Sequence, residues 1–302
     1  MKTKILRNIF PSLGAVLATA LAPITAHAQN LYVTVLSPGE ILEYTPSGVQ
    51  STFATGLEAP RGLAFDSIGN LFAAEAEFPD HIEIGRVLKF NLSNHVSTFG
   101  TVGRGFFFLE GLATDIAGNA YVLATDQHTD TFPGTIFKFT PSGERIVFGS
   151  VPGVPNSQSA NFGLAFDSAG NLYATATWPQ TIYKFAPNGT RTVFVGPSAF
   201  ATGAYPLGLA FDSAGNLFVS TGFNAGNDTI LKFTPSGVES TCATGLTNPR
   251  GLAFDSSGNL FVAESNPAPD GGILKFSTCG GMPTAFATGL NRPQLLTFGP
   301  PR

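Results

Sequence analysis

The chain has 302 residues, of which 43% are hydrophobic and only 12% charged, and its formal net charge is −4. It carries no cluster of lysine and arginine, which excludes a nucleic-acid backbone as partner, because phosphate binding is driven by clustered cations. Its 35 glycines and 28 phenylalanines suit many tight turns around a large aromatic core, and exclude a disordered chain.

The first element in the chain is a targeting segment. Lys2, Lys4 and Arg7 precede an apolar stretch from Leu13 to Ile24, and Ala26-His27-Ala28 offers a small-residue cleavage site. This is the pattern of a secretory signal peptide over residues 1–28. The expected mature chain, residues 29–302, is secreted or periplasmic and more acidic, since three cations leave with the peptide. No later segment approaches the ~20 apolar residues of a membrane span.

Next comes Asn30-Leu31-Tyr32-Val33-Thr34, then Ile41 to Tyr44 and a Thr-Pro-Ser-Gly turn at Thr45. From there a ten-residue phrase recurs: GLAFDSIGNL at Gly62, GLATDIAGNA at Gly111, GLAFDSAGNL at Gly163 and Gly208, and GLAFDSSGNL at Gly251. The copies start 43–52 residues apart. Such a period, built from short strands, predicts a β-propeller with one blade per repeat. Strand A is GLAFD and strand B is NLFVA or its variants. Strand C is an apolar-Lys-aromatic run such as Leu88-Lys89-Phe90, and strand D is TFATGL or a degenerate form.

In the A–B turn, pairing Asp66 with Asn70 leaves a three-residue loop with Gly69 at its left-handed position. The repeat aspartates Asp66, Asp115, Asp167, Asp212 and Asp255 are therefore turn formers whose carboxylates accept backbone N–H groups. The repeat lysines of strand C read as solvated or blade-packing positions. The chain begins at a strand B, and Arg292 to Gly299 aligns with PRGLAFD before the chain stops. The expected fold is all-β: six four-stranded antiparallel blades, with the C-terminal strand Gln294–Phe298 completing the N-terminal blade along Leu31–Val35. A monomer is expected.

The two cysteines are Cys242 and Cys279. Cys242 stands where other TFATGL copies carry phenylalanine, so it points into packed side chains. A buried free thiol and a disulfide between neighbouring blades both remain open. No Cys/His metal spacing is present.

Alternation puts the short A–B and C–D turns on one face and the varied B–C and D–A connections on the other. Variable loops on a rigid scaffold are where binding concentrates, so a small-molecule or protein ligand is expected on the loop face. Phe78, Phe106, Phe107, Phe108, Phe132, Trp178, Tyr205 and Phe223 are available as its walls. Extending the hairpin register places Arg61 opposite Glu75 and Arg250 opposite Glu264, two opposite-charge pairs that read as scaffold. The same register places Glu110 opposite Ala124, leaving a carboxylate without the repeat partner. Asp126, His128 and Asp130 follow in the same blade, and Glu77, Asp80 and His81 in the preceding one. Glu110 and His128 are the candidate catalytic pair. Glu110, Asp126, His128, Asp80 and His81 are the candidate metal set, since carboxylates with imidazole hold divalent ions or supply a base. Calcium or magnesium is the expected ion.

GLAFDSSGNLFVAES and its sister copies resemble NHL repeats over nearly the whole mature chain. The wider group includes the gluconolactonase/regucalcin family. This resemblance implies six blades and, as an alternative to simple binding, a metal-dependent lactonase with ligands at the strand entrances. The corresponding entrances here are Arg61, Glu110, Phe162, Leu207, Arg250 and Gln294. Of these Glu110 matches a ligand, and Asn161 lies beside Phe162. The family's Asn-Gly entrance and later metal Asp have no recognisable counterpart. Streptogramin lyases resemble the repeat too, but their catalytic histidine region has no recognisable counterpart.

Overall fold

The Asp-x-x-Gly-Asn turns close as their residues require. Asp66 N–H donates to Asn70 O and Gly69 N–H to Asp66 O, while Asp66 Oδ1 accepts from the N–H groups of Ile68 and Asn70. Gly69 has φ +91°, a conformation that costs a side-chain-bearing residue dearly. All five copies form this turn, which confirms the aspartates as turn formers. The structure is a computed structural model and describes residues 29–77, 84–104, 106–126, 133–153, 163–222 and 228–300.

The described residues form six antiparallel sheets of four strands arranged as a ring. Blade 1 holds β1 (Leu31–Val35), β2 (Glu40–Tyr44), β3 (Gln50–Thr55) and β24 (Pro293–Phe298); blade 2 holds β4 (Leu63–Phe65), β5 (Leu71–Glu77), β6 (Ile84–Phe90) and β7 (Val96–Arg104). Blade 3 holds β8 (Phe106–Thr114), β9 (Ala120–Asp126), β10 (Gly134–Phe139) and β11 (Arg145–Val151); blade 4 holds β12 (Leu164–Phe166), β13 (Leu172–Ala176), β14 (Thr181–Phe185) and β15 (Arg191–Val195). Blade 5 holds β16 (Tyr205–Phe211), β17 (Leu217–Gly222), β18 (Asp228–Phe233) and β19 (Glu239–Leu246); blade 6 holds β20 (Pro249–Phe254), β21 (Leu260–Glu264), β22 (Gly271–Phe276) and β23 (Thr284–Leu290). The ring closes as expected: β24 pairs with β1, Leu31 opposite Phe298 and Val33 opposite Leu296.

The core lies between blades, and its unit is the strand B aromatic. Tyr32 packs edge-on against Phe53 of its own blade and Phe65 of the next, at 5.2 and 4.9 Å between ring centroids. Tyr173 and Phe261 repeat this arrangement with their own neighbours. The strand C lysine lies across the strand from that aromatic, and its ammonium sits over the ring: Lys89 over Phe72 at 5.4 Å, Lys232 over Phe218 at 5.5 Å. The repeat lysines are therefore blade-packing residues through cation–π contact. At the blade 5–6 joint the strand D phenylalanine is replaced by Cys242, which is buried and disulfide-bonded to Cys279. The question left open by the sequence is thus answered as a disulfide between neighbouring blades.

Candidate functional site

Strand A contains an extra residue at the entrances that carry Arg61, Glu110 and Arg250. Arg61 N–H donates to Ala74 O, and Ala74 N–H donates to Gly62 O, so two residues face one. The register slips likewise between Pro249 and Leu252, where Pro249 is opposite Glu264, and between Leu109 and Leu112, where Leu109 is opposite Ala124. Such a bulge re-aims the side chain it carries. The glycine that opens the phrase permits it: a Cβ on Gly208 would lie 2.0 Å from Arg250 O, and on Gly163 2.4 Å from Leu207 O. Each of these glycines lets the next blade's entrance backbone approach the axis.

Hydroxyls then fix the entrances. Ser220 Oγ accepts from Gly208 N–H at 2.8 Å and donates to Arg250 O at 2.7 Å. Thr175 does the same between Gly163 and Leu207 O, and Thr34 between Leu295 N–H and Arg61 O. The side chains of Arg61, Glu110, Arg250 and Gln294 consequently line one small central cavity with Gly208 and Leu295.

This geometry corrects three expectations. Arg61 does not pair with Glu75: its Nη1 donates to Glu110 Oε1 at 2.6 Å, and its guanidinium lies over Phe108 at 4.7 Å. Glu75 instead pairs with Arg86 Nε and accepts the Glu58 N–H. Arg250 does not pair with Glu264, whose Oε1 accepts the Thr247 N–H at 2.9 Å. Arg250 Nε donates to Asn248 Oδ1 at 3.3 Å. Nor is Glu110 a carboxylate without a partner. It is 3% exposed and held by the arginine of the preceding blade. The physical reason is the bulge, which the ideal hairpin register used for the sequence does not contain.

Burial pushes the Arg250 guanidinium down to about 10, and the nearby Arg61 cation acts in the same direction, while Glu110 and Asp228 oppose both. Burial also raises the Glu75 carboxyl above its ordinary value, more than Arg86 and the Glu58 N–H lower it.

Of the expected metal set, Glu110 is on the axis, and Asp126 ends β9 with Phe106 as its register partner. Asp80, His81 and His128 lie outside the described residues, as do Asp130, Asn161, Phe162, Phe78, Phe132 and Phe223. Among the described residues no three His, Cys, Asp or Glu side chains come together as a metal cluster. The described axis residues do not fit a divalent cation: their one carboxylate is committed to a guanidinium, and a second guanidinium shares the wall. Of the aromatic walls, Phe108 and Tyr205 pack against the buried Leu207, whereas Trp178, between β13 and β14 on the loop face, is 51% exposed.

The arginines were the residues missed. Their signal was present in the entrance alignment, where Arg61 and Arg250 occupy the same place as Glu110.

Comparison with family models and with curated protein sequences found no match. Among solved structures, TolB from Acinetobacter baumannii matches with a TM-score of 0.68 at 11% identity, over 90% of this chain and 67% of that one. A putative gluconolactonase matches at 0.58 and 15% identity, over 89% and 92%. Virginiamycin B lyase from Staphylococcus aureus, in a catalytically inactive form with quinupristin, matches at 0.56 and 18%, over 78% and 73%. Identity at this level establishes shared architecture. The chain is a six-bladed β-propeller whose structural neighbours include a putative gluconolactonase, a virginiamycin B lyase and TolB.

Proposed function

We propose that the chain is an exported propeller of NHL type that binds a small ligand or a protein on its loop face, without metal-assisted hydrolysis. One observation carries this reading: the axis, where a lactonase of this architecture would gather cation ligands, is lined among the described residues by two arginines, one committed glutamate and an amide. Export is supported by the disulfide, a bond of oxidising compartments, together with the signal-peptide pattern of residues 1–28.

The test is a panel of sugar lactones and carboxylic esters, assayed with calcium, magnesium, manganese or zinc. No metal-dependent turnover is expected. Turnover abolished by a chelator would restore the metal-dependent lactonase, with Asp80, His81, Asp126 and His128 as its ligands. The same compounds, sugar acids and short peptides are then titrated against intrinsic fluorescence. Trp178 is the single tryptophan of the chain and stands on the loop face, so its emission reports binding there.

A further inference from the structure

The cavity where the strand entrances meet has a volume of about 10 Å³ and is lined by Arg61, Glu110, Gly208, Arg250, Gln294 and Leu295. That is room for about one water-sized particle. It admits a single heavy atom, such as a halide ion or one oxygen of a carboxylate.

The wall favours a negative occupant. It presents two guanidiniums. Its own carboxylate, Glu110, is engaged by Arg61 Nη1, and the Gln294 amide nitrogen is engaged by Ser265 Oγ and Arg292 O. The further carboxylate acting on Arg250 is Asp228, whose Oδ2 accepts the Asn248 N–H at 2.9 Å. Arg61 Nε is buried with no hydrogen-bond partner among the described residues. Such a donor, removed from water, is destabilising until an acceptor reaches it.

We propose that the central cavity is an anion seat, in which one monovalent anion sits between the guanidiniums of Arg61 and Arg250. In free solution the occupant is a halide; with a ligand on the loop face it is an oxygen of the ligand's carboxylate. The second case rests on the binding reading above and names the ligand class, an organic acid. The first stands without it.

The experiment uses the mature chain in sodium tetrafluoroborate, an anion too large for the cavity and without an oxygen to place in it. Thermal unfolding is followed while bromide replaces tetrafluoroborate at constant ionic strength, and acetate replaces it in a parallel series. Bromide is expected to raise Tm saturably by about 2–4 °C, and a bromide-soaked crystal is expected to show an anomalous peak between the two arginines. Acetate that competes with bromide supports entry of a carboxylate oxygen; acetate without effect removes that half and leaves a halide seat. Arg250→Met should abolish the saturable rise while circular dichroism shows the fold retained, and Arg250→Lys serves if the methionine variant does not fold. Identical Tm in bromide and tetrafluoroborate, or a bromide effect that survives both variants, would overturn the proposal. Lactone turnover in the earlier assay would defeat the binding reading without touching this result.

Discussion

Blades 2 and 6 open with the same words, Pro-Arg-Gly-Leu-Ala-Phe-Asp, and both end strand B with Ala-Glu. The local chain does the same thing in each. The bulge turns Arg61 and Arg250 to the axis, and Glu75 and Glu264 turn away to accept an N–H of the D–A connection, from Glu58 and Thr247 respectively. The electrostatic outcome differs. The blade after Arg61 brings Glu110 to the axis, whereas the blade after Arg250 brings Gln294, whose amide nitrogen is already engaged. Glu75 has Arg86 across the strand, whereas Glu264 has Gly272. Local sequence decides where a side chain points; the neighbouring blade or strand decides what it meets.

The most drastic way to break the comparison is to remove one strand of the blade that stands between the two copies. Deleting residues 293–302 takes away β24, with buried Gln294 and Leu296. A loss above ~5 kcal/mol is expected in urea unfolding, because a strand ladder and its packing disappear together. An unchanged midpoint would show that the ring does not depend on this closure.

The sharpest test compares the arginines directly. Arg61→Met leaves Glu110 buried without its cation and should cost about 3–5 kcal/mol. Arg250→Met removes a cation that burial disfavours and that shares its carboxylates with other donors, and should cost less, about 1–2 kcal/mol. Equal losses in denaturant titrations would erase the distinction between the two blades.

The strand D position extends the contrast to the joints. Phe53 packs between Tyr32 and Phe90, while Cys242, at the same repeat position, is bonded to Cys279. The closed loop spans a separation of 37 residues, for which chain entropy gives about 3–4 kcal/mol. Replacing both cysteines with serine should lower stability by about that amount, read by differential scanning calorimetry. A smaller change would mean that packing alone holds the joint.

The smallest effect concerns Glu75 and pH. Burial raises its carboxyl above the ordinary 4.5 in the folded chain. The fold therefore binds this proton more tightly than the unfolded chain, and the contribution is full below pH 4.5 and is lost as pH rises through the folded value. Glu75→Gln should remove that decline, so the stability of wild type relative to the variant should fall with rising pH across the acid range. A parallel pH profile for the two chains would contradict it.

The sequence by itself determined the blade count, the strand order, the closure and the turn chemistry, since each follows from spacings within one repeat. Gly69 and Asp66 specify their turn without help from any other blade, and the Arg292–Gly299 match to PRGLAFD announces the closure. Only the tertiary structure decided the centre and the joints. The hairpin register gave Arg61 to Glu75, but the bulge forms where Gly62 lies under the carbonyl of Glu110, 48 positions away, and a Cβ there would be 3.1 Å from that oxygen. The Cys242–Cys279 bond, the Arg61–Glu110 pair and the cavity beside Arg250 are likewise contacts between blades. A repeat encodes its own hairpins, because their hydrogen bonds are local; it does not encode the charges that later repeats bring to the axis, because those meet only when the ring closes.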